Sequence, residues 1–173
     1  YTISTTGNAL SNPKGNTYSL IIINDDSPLS TTIVGQQVFY DGFESYADFT
    51  VGNVGGWTTY DLDGDPTYTD DTYDFPNEGY TGSFIIYNPS ATTPSSAGSG
   101  YDAHTGNKGY YCHNESVAPY ANNDWAITPQ ISLGANSQLS FWAQSLTDNY
   151  NGGERFNVLV STTNTATTSF TKI

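Results

Sequence analysis

Methionine is absent from this chain of 173 residues, cysteine occurs once, and lysine and arginine together number four. Each scarcity excludes something. A nascent polypeptide begins with methionine, so its absence predicts that the chain is a processed segment of something longer. The single Cys112 rules out an internal disulfide and any zinc site built on several thiolates, leaving burial or bound metal ions to supply stability. Lys14, Lys108, Arg155 and Lys172 are scattered, so they form no basic patch. Set against seventeen acidic residues they leave a formal charge of −13, which repels nucleic acid and anionic lipid headgroups alike. Nucleic-acid partners are thereby excluded. No run of about eighteen apolar residues occurs, so membrane insertion of a helix is not expected. Neither a Gly-x-Ser-x-Gly elbow nor a Gly-Lys-Ser/Thr phosphate loop is present, which removes two large enzyme classes.

What the chain does contain is Thr, Ser, Asn, Gly and Tyr, a composition suited to short strands joined by polar turns. Its acidic, lysine-poor profile predicts a secreted or cell-surface bacterial protein. "YSLIII", residues 18–23, is a β-rich apolar run ended by the turn chemistry of "NDDSP". "LSTTIVGQQ" reads as a linker, after which "VFYDGFESY" opens a new strand. The predicted organisation is therefore the end of a preceding β module at 1–28, a linker at 29–37 and a main domain at 38–173. Further strands are expected within "SFIIYN", half-buried, and within "GYYCH", "DWAITPQISL", "QLSFWAQS" and "ERFNVLVSTT". In "GYYCH" alternation puts Tyr110 and Cys112 on one face and Tyr111 and His113 on the other; Cys112 is expected in the core and His113 at the surface. Leu139, Phe141 and Ala143 share a face, Trp142 takes the opposite one, and Phe156, Val158 and Val160 are expected inward. No segment keeps a 3.6-residue period, so the fold class is all-β, a β-sandwich.

The stretch "YDLDGDPTYTDDTYDF", residues 60–75, holds six aspartates and no basic residue. A hydrated loop, a catalytic acid pair and a cation cradle all suit it. Asp61, Asp63 and Asp65 alternate with Leu62 and Gly64, and a glycine-containing turn can converge such carboxylates on calcium. The loop is not an EF-hand, because its glycine is fourth and its twelfth position is Thr72. Glu44, Asp70, Asp71, Asp74 and Glu78 are further carboxylates able to join. A glycosidase pair would need one acid with a raised pKa, which an open polar loop does not provide. His104 and His113 lack zinc-ligand spacing even with Glu115 beside them. Tyr60, Tyr68, Tyr73, Tyr80, Tyr120 and Tyr150 fall in expected loops, where rings stack on sugars or anchor protein contacts.

Asp124-Trp125 ahead of Thr128-Pro129, then Leu139 to Ala143 (Leu-Ser-Phe-Trp-Ala), then Val160 to Thr163 (Val-Ser-Thr-Thr) form an ordered set. Upstream stand Phe43-Glu44, Gly56-Trp57-Thr58 and the turn from Asp61 to Asp65. Over residues 38–173 this order resembles the cleaved-adhesin, or choice-of-anchor J, family of gingipain-haemagglutinin-type modules. The resemblance implies a jelly-roll β-sandwich that is non-catalytic, binds calcium and serves adhesion in secreted or surface proteins of Bacteroidetes-type bacteria. The expected metal ligands are Asp61, Asp63 and Asp65 from their spacing, joined by Glu44 from the further carboxylates, and no catalytic residues are expected. The expected partners are a host or surface protein or glycan and other domains of the same parent. Ala126 departs from the family's larger aliphatic, and the family's later strands have no counterpart after Ile173. The domain is therefore expected to be incomplete at its C-terminus, leaving Leu139, Phe141, Phe156 and Val158 short of partners. "SNPKGNTYSLIIINDDSP" is similar to the last strand of a Calx-β-type module. A carbohydrate-binding module attached to a secreted hydrolase and a spacer repeat are the alternative functions.

Overall fold

The computed structural model describes residues 21–24, 36–134, 137–146 and 155–173. The expected preceding module and linker fall mostly outside the described residues. Val38, where the main domain was expected to begin, lies within a strand at Gln36–Tyr40. The architecture is mostly β with no α-helix among the described residues, as the composition predicts. The described residues contain nine short strands joined by turns, with two single-turn 3₁₀ segments at Pro89–Ala91 and Thr167–Ser169. Contacts divide the chain into two compact units, one made of Tyr1–Asp41 with Gln130–Ile173 and the other of Gly42–Pro129.

In the first unit β1 (Ile21–Asn24) lies between β2 (Gln36–Tyr40) and β7 (Gln138–Ser140), antiparallel to both. In backbone register Ile22 pairs with Phe39 in β2 and with Leu139 in β7, and a bulge follows it in the β1–β2 ladder. β8 (Leu159–Val160) pairs with β9 (Thr171–Lys172). These strands are shorter than the sequence pattern suggests. Phe156, expected inward, is 58% exposed and meets Phe141 edge-on at 5.9 Å, whereas Leu139, Phe141 and Val158 are half-buried. Trp142 is exposed, as expected, although the strand ends at Ser140.

The second unit carries the core. β3 (Thr58–Asp61) pairs with β6 (Asp124–Ile127), and β4 (Ile85–Tyr87) pairs with β5 (Gly109–Tyr111). Ile85, Ile86 and Tyr87 are all fully buried, where a half-buried strand was expected. The backbone of β4 is also paired along both edges. β5 takes one edge, while the Phe49 amide donates to Ile86 O (2.7 Å) and the Ile86 amide to Thr50 O (2.9 Å) on the other. Ile85 and Tyr87 join Phe49, Phe75 and Tyr80 in one cluster. Around Tyr110 gather Phe43, Trp57 and Phe84, at centroid distances of 5.2, 5.9 and 5.0 Å.

The alternation in "GYYCH" is observed with its faces reversed from expectation. Cys112 is exposed, and His113 turns inward against Phe75, Tyr80 and Tyr87. Aromatic rings cover both faces of this strand, so residue type alone did not indicate which side of its continuation was inside.

Candidate metal centre

β3 ends at Asp61, directly opposite Asp124 at the start of β6. Like charges paired across a ladder repel, so this register already calls for compensation. The chain then turns at Gly64, whose φ of +75° is a left-handed value that glycine adopts without strain. The Gly64 amide donates to Asp61 Oδ1 (2.6 Å) and the Asp65 amide to Asp63 Oδ1 (3.2 Å). The Asn123 amide reaches Asp63 Oδ2 (2.5 Å), tying the loop to the approach to β6.

Beyond the turn the backbone runs beside residues 114–116. Thr67 is bridged to Glu115, the Tyr68 amide donates to Asn114 O (2.7 Å), and the Ser116 amide donates to Pro66 O (2.9 Å). Directly opposed residues of an antiparallel pair project to one face, and residues two apart share that face. Glu115, Thr67 and Asp65 are therefore set on the same side of this ribbon. Glu115 is only 3% exposed, and its carboxylate also accepts from the Ala121 amide.

Carboxylate oxygens of Asp61, Asp63 and Asp124 lie within 4.8 Å of one another, and so do those of Asp63, Asp65 and Glu115. Oxygens bound to one calcium at about 2.3 to 2.6 Å can be no more than roughly 5 Å apart, so both groups fit a cation of that kind. No basic side chain of the unit neutralises them: Lys108, the single lysine or arginine within Gly42–Pro129, bonds Asp48 Oδ1 (2.8 Å) and Tyr46 O (2.7 Å).

The titration of the groups carries the same strain. Burial raises the Asp124 carboxyl to about 6; the Cys112 thiol and Asn122 amide oppose this, and the charges of Asp63 and Asp61 add to it. Burial also pushes Asp63 up, but the Asn123 and Asp65 amides outweigh that and hold it below the usual aspartate value. One carboxyl thus tends to keep its proton beside a neighbour that sheds it. A bound cation relieves the conflict by replacing the proton.

Of the expected ligands, Asp61 and Asp65 each lie beside Asp63 but in separate groups, and Glu44 is in neither. The Glu44 carboxylate accepts from the backbone amides of Asn107 (2.8 Å) and Lys108 (2.9 Å), clamping that loop. Glu115 and Asp124 complete the groups instead. Asp70, another of the further carboxylates, accepts from the Tyr101 hydroxyl (2.7 Å) and from the Thr72 and Tyr73 amides, which outweigh its burial and lower its pKa. Among the described residues no such group includes a histidine or cysteine. The Cys112 thiol donates to Asp124 Oδ2 (3.2 Å), and the Asn122 amide donates to both Asp124 Oδ2 and the Cys112 sulfur (3.1 Å each). An open groove of about 620 Å³ is lined by Asp48, Phe49, Asn77, Glu78 and Tyr80 among others, and none of the five clustered acids lines it.

Comparison with known protein families, with curated proteins and with solved structures returned no match to this chain.

Proposed function

We propose that the chain is a calcium-dependent, non-catalytic binding module of a larger secreted or cell-surface bacterial protein, folded as a jelly roll of the cleaved-adhesin type and acting in adhesion. The observation that carries this reading is the convergence of Asp63, Asp65 and buried Glu115 with no basic side chain to balance them. Calcium suits the site better than magnesium, because an all-oxygen, irregular, partly buried ligand set tolerates six to eight contacts and not a strict octahedron. The ion's part is structural: it holds together an acidic loop that would otherwise repel itself, so that the unit presents a fixed surface to a protein or glycan.

The test is a thermal melt with calcium and with chelator. Binding to the folded state alone adds RT ln(1 + [L]/Kd), about 2.7 kcal/mol at a hundredfold excess over Kd. For a chain of this size that corresponds to roughly 5–10 °C in Tm. Superimposable melting curves in calcium and in EGTA would refute the reading.

A further inference from the structure

We propose that the groove beside residues 49–52 takes an extended, lysine- or arginine-bearing peptide segment of a partner protein, added as a further strand on the outer edge of those residues. None of the five clustered acids lines this groove, so the proposal goes beyond the calcium reading and does not rest on it.

The backbone carries the argument. Val51 is bridged to Ile85 in β4, and the bonds flanking that bridge run from the Gly52 amide to Phe84 O (2.7 Å) and from the Ile86 amide to Thr50 O (2.9 Å). In an antiparallel pair bonded in this way the middle residue turns its own amide and carbonyl to the outer edge. Among the described residues nothing bonds them. On the other wall Thr81 is bridged to Pro66 while the Thr67 amide donates to Tyr80 O (2.8 Å), which by the same geometry turns the Thr81 amide and carbonyl away from Pro66. These too are unbonded among the described residues, and both Val51 and Thr81 line the groove. Unpaired edge groups of this kind are what an extended peptide pairs with. The walls are tied together by the Asn77 side-chain amide, which donates to Phe49 O (2.8 Å). Both residues stand at left-handed φ, 66° for Asn77 and 59° for Phe49, a conformation that an aromatic residue takes only where its surroundings impose it. The edge is therefore set before a partner arrives.

The chemistry of the walls selects the occupant. Gly42–Pro129 carries twelve acidic residues against the single Lys108, a formal charge of −11. Asp48 and Glu78 stand at the groove, and Lys108 is already bonded to Asp48. A cationic segment is attracted there, whereas a second copy of this chain, at −13, is repelled. Phe49 and Tyr80, the rings that line the groove, are only 4% and 9% exposed, so they offer no open face on which a sugar could stack.

The test titrates the isotope-labelled chain, in calcium, with a decapeptide that alternates lysine with threonine and valine, followed by amide NMR and hydrogen exchange. Millimolar peptide should shift the amides of Thr50, Val51 and Thr81 and slow exchange at Val51 or Thr81. Methylating alternate backbone nitrogens of the peptide keeps its charge but removes hydrogens needed for pairing, so it should weaken binding about tenfold in one frame and little in the other. Thr81→Arg, at an exposed position, should abolish binding by placing a cation in the groove, and Glu78→Gln should weaken it severalfold. No shift with millimolar peptide, undiminished binding in both methylated frames, or an equal response to a glutamate-for-lysine peptide or to a neutral chitin hexasaccharide overturns the proposal, while leaving the melting result in calcium and EGTA untouched.

Discussion

Between about pH 4 and 6.5, two buried groups should pull stability in opposite directions, and removing either one should expose the other. The His113 ring lies 5.5 Å from those of Phe75 and Tyr87, with Nε2 buried and unpartnered. Desolvation there lowers its pKa to about 4, despite the opposing attraction of Asp70. In the unfolded chain the same imidazole titrates near 6.5. As pH falls through this window the unfolded state takes up a proton that the folded state refuses. Stability then drops by about 1.4 kcal/mol per pH unit, roughly 3 kcal/mol in all.

Asp124 works the other way, since its folded pKa of about 6 lies above the ordinary value of 3.8. As pH rises between those values the unfolded chain loses a proton that the folded state keeps, so stability falls. Solvent reaches part of this carboxyl, and screening reduces its share to roughly 1–2 kcal/mol. Asp63 and Asp70, with lowered values, act below the window. Urea unfolding followed by far-ultraviolet circular dichroism in chelator should therefore show a net gain of only about 1–2 kcal/mol from pH 4 to 6.5. Asp124→Asn should restore the full rise of roughly 3 kcal/mol, and His113→Phe should turn the profile downward with pH. Saturating calcium, by keeping Asp124 ionised, should move the wild-type profile toward that of Asp124→Asn. An Asp124→Asn profile no steeper than that of the metal-free wild type would refute the reasoning.

Two further outcomes follow from the packing. Ile85→Ala removes a fully buried side chain from a strand covered on both edges, and should lower the unfolding free energy by about 2–5 kcal/mol in denaturant melts. Gly106→Ala should cost at least about 1 kcal/mol, because the residue sits at φ +75° and its new methyl meets the Glu44 carboxylate that holds the Asn107 and Lys108 amides; a Gly106→Ala melt unchanged from wild type would show that this clamp is dispensable.

The β class was legible because most strands lie inside apolar or aromatic runs bounded by turn residues, although Thr58–Asp61 and Thr171–Lys172 do not. Strand length was less so: "ERFNVLVSTT" contributes only Leu159–Val160 to a ladder, because pairing partners and not propensity set where a strand ends. In the centre, Asp61, Asp63 and Asp65 were readable from spacing within a single turn. Asp124 and Glu115 were not, since they arrive through the Asp61–Asp124 and Thr67–Glu115 registers, and register between segments so far apart in sequence leaves no mark in local spacing. Glu44 was assigned to the ion on the strength of its charge, yet two backbone amides without local partners claim it. His113 and Cys112 show the same limit. Parity separates two neighbours but does not say which of them faces the rings.

The strand pairs of Gly42–Pro129 are nested: β3 and β6 close around residues 62–123, within which β4 and β5 have already closed around 88–108. The shorter inner closure loses less chain entropy and should form first. Asp61 to Asp65 lie before the inner pair, and Glu115 and Asp124 after it, so the acids meet only when the outer loop shuts. An ion seated across that neck should therefore join a contact made after the folding transition state. Its effect should then fall on the escape rate from the native state, lengthening the half-life of the folded unit while leaving the speed of folding nearly unchanged.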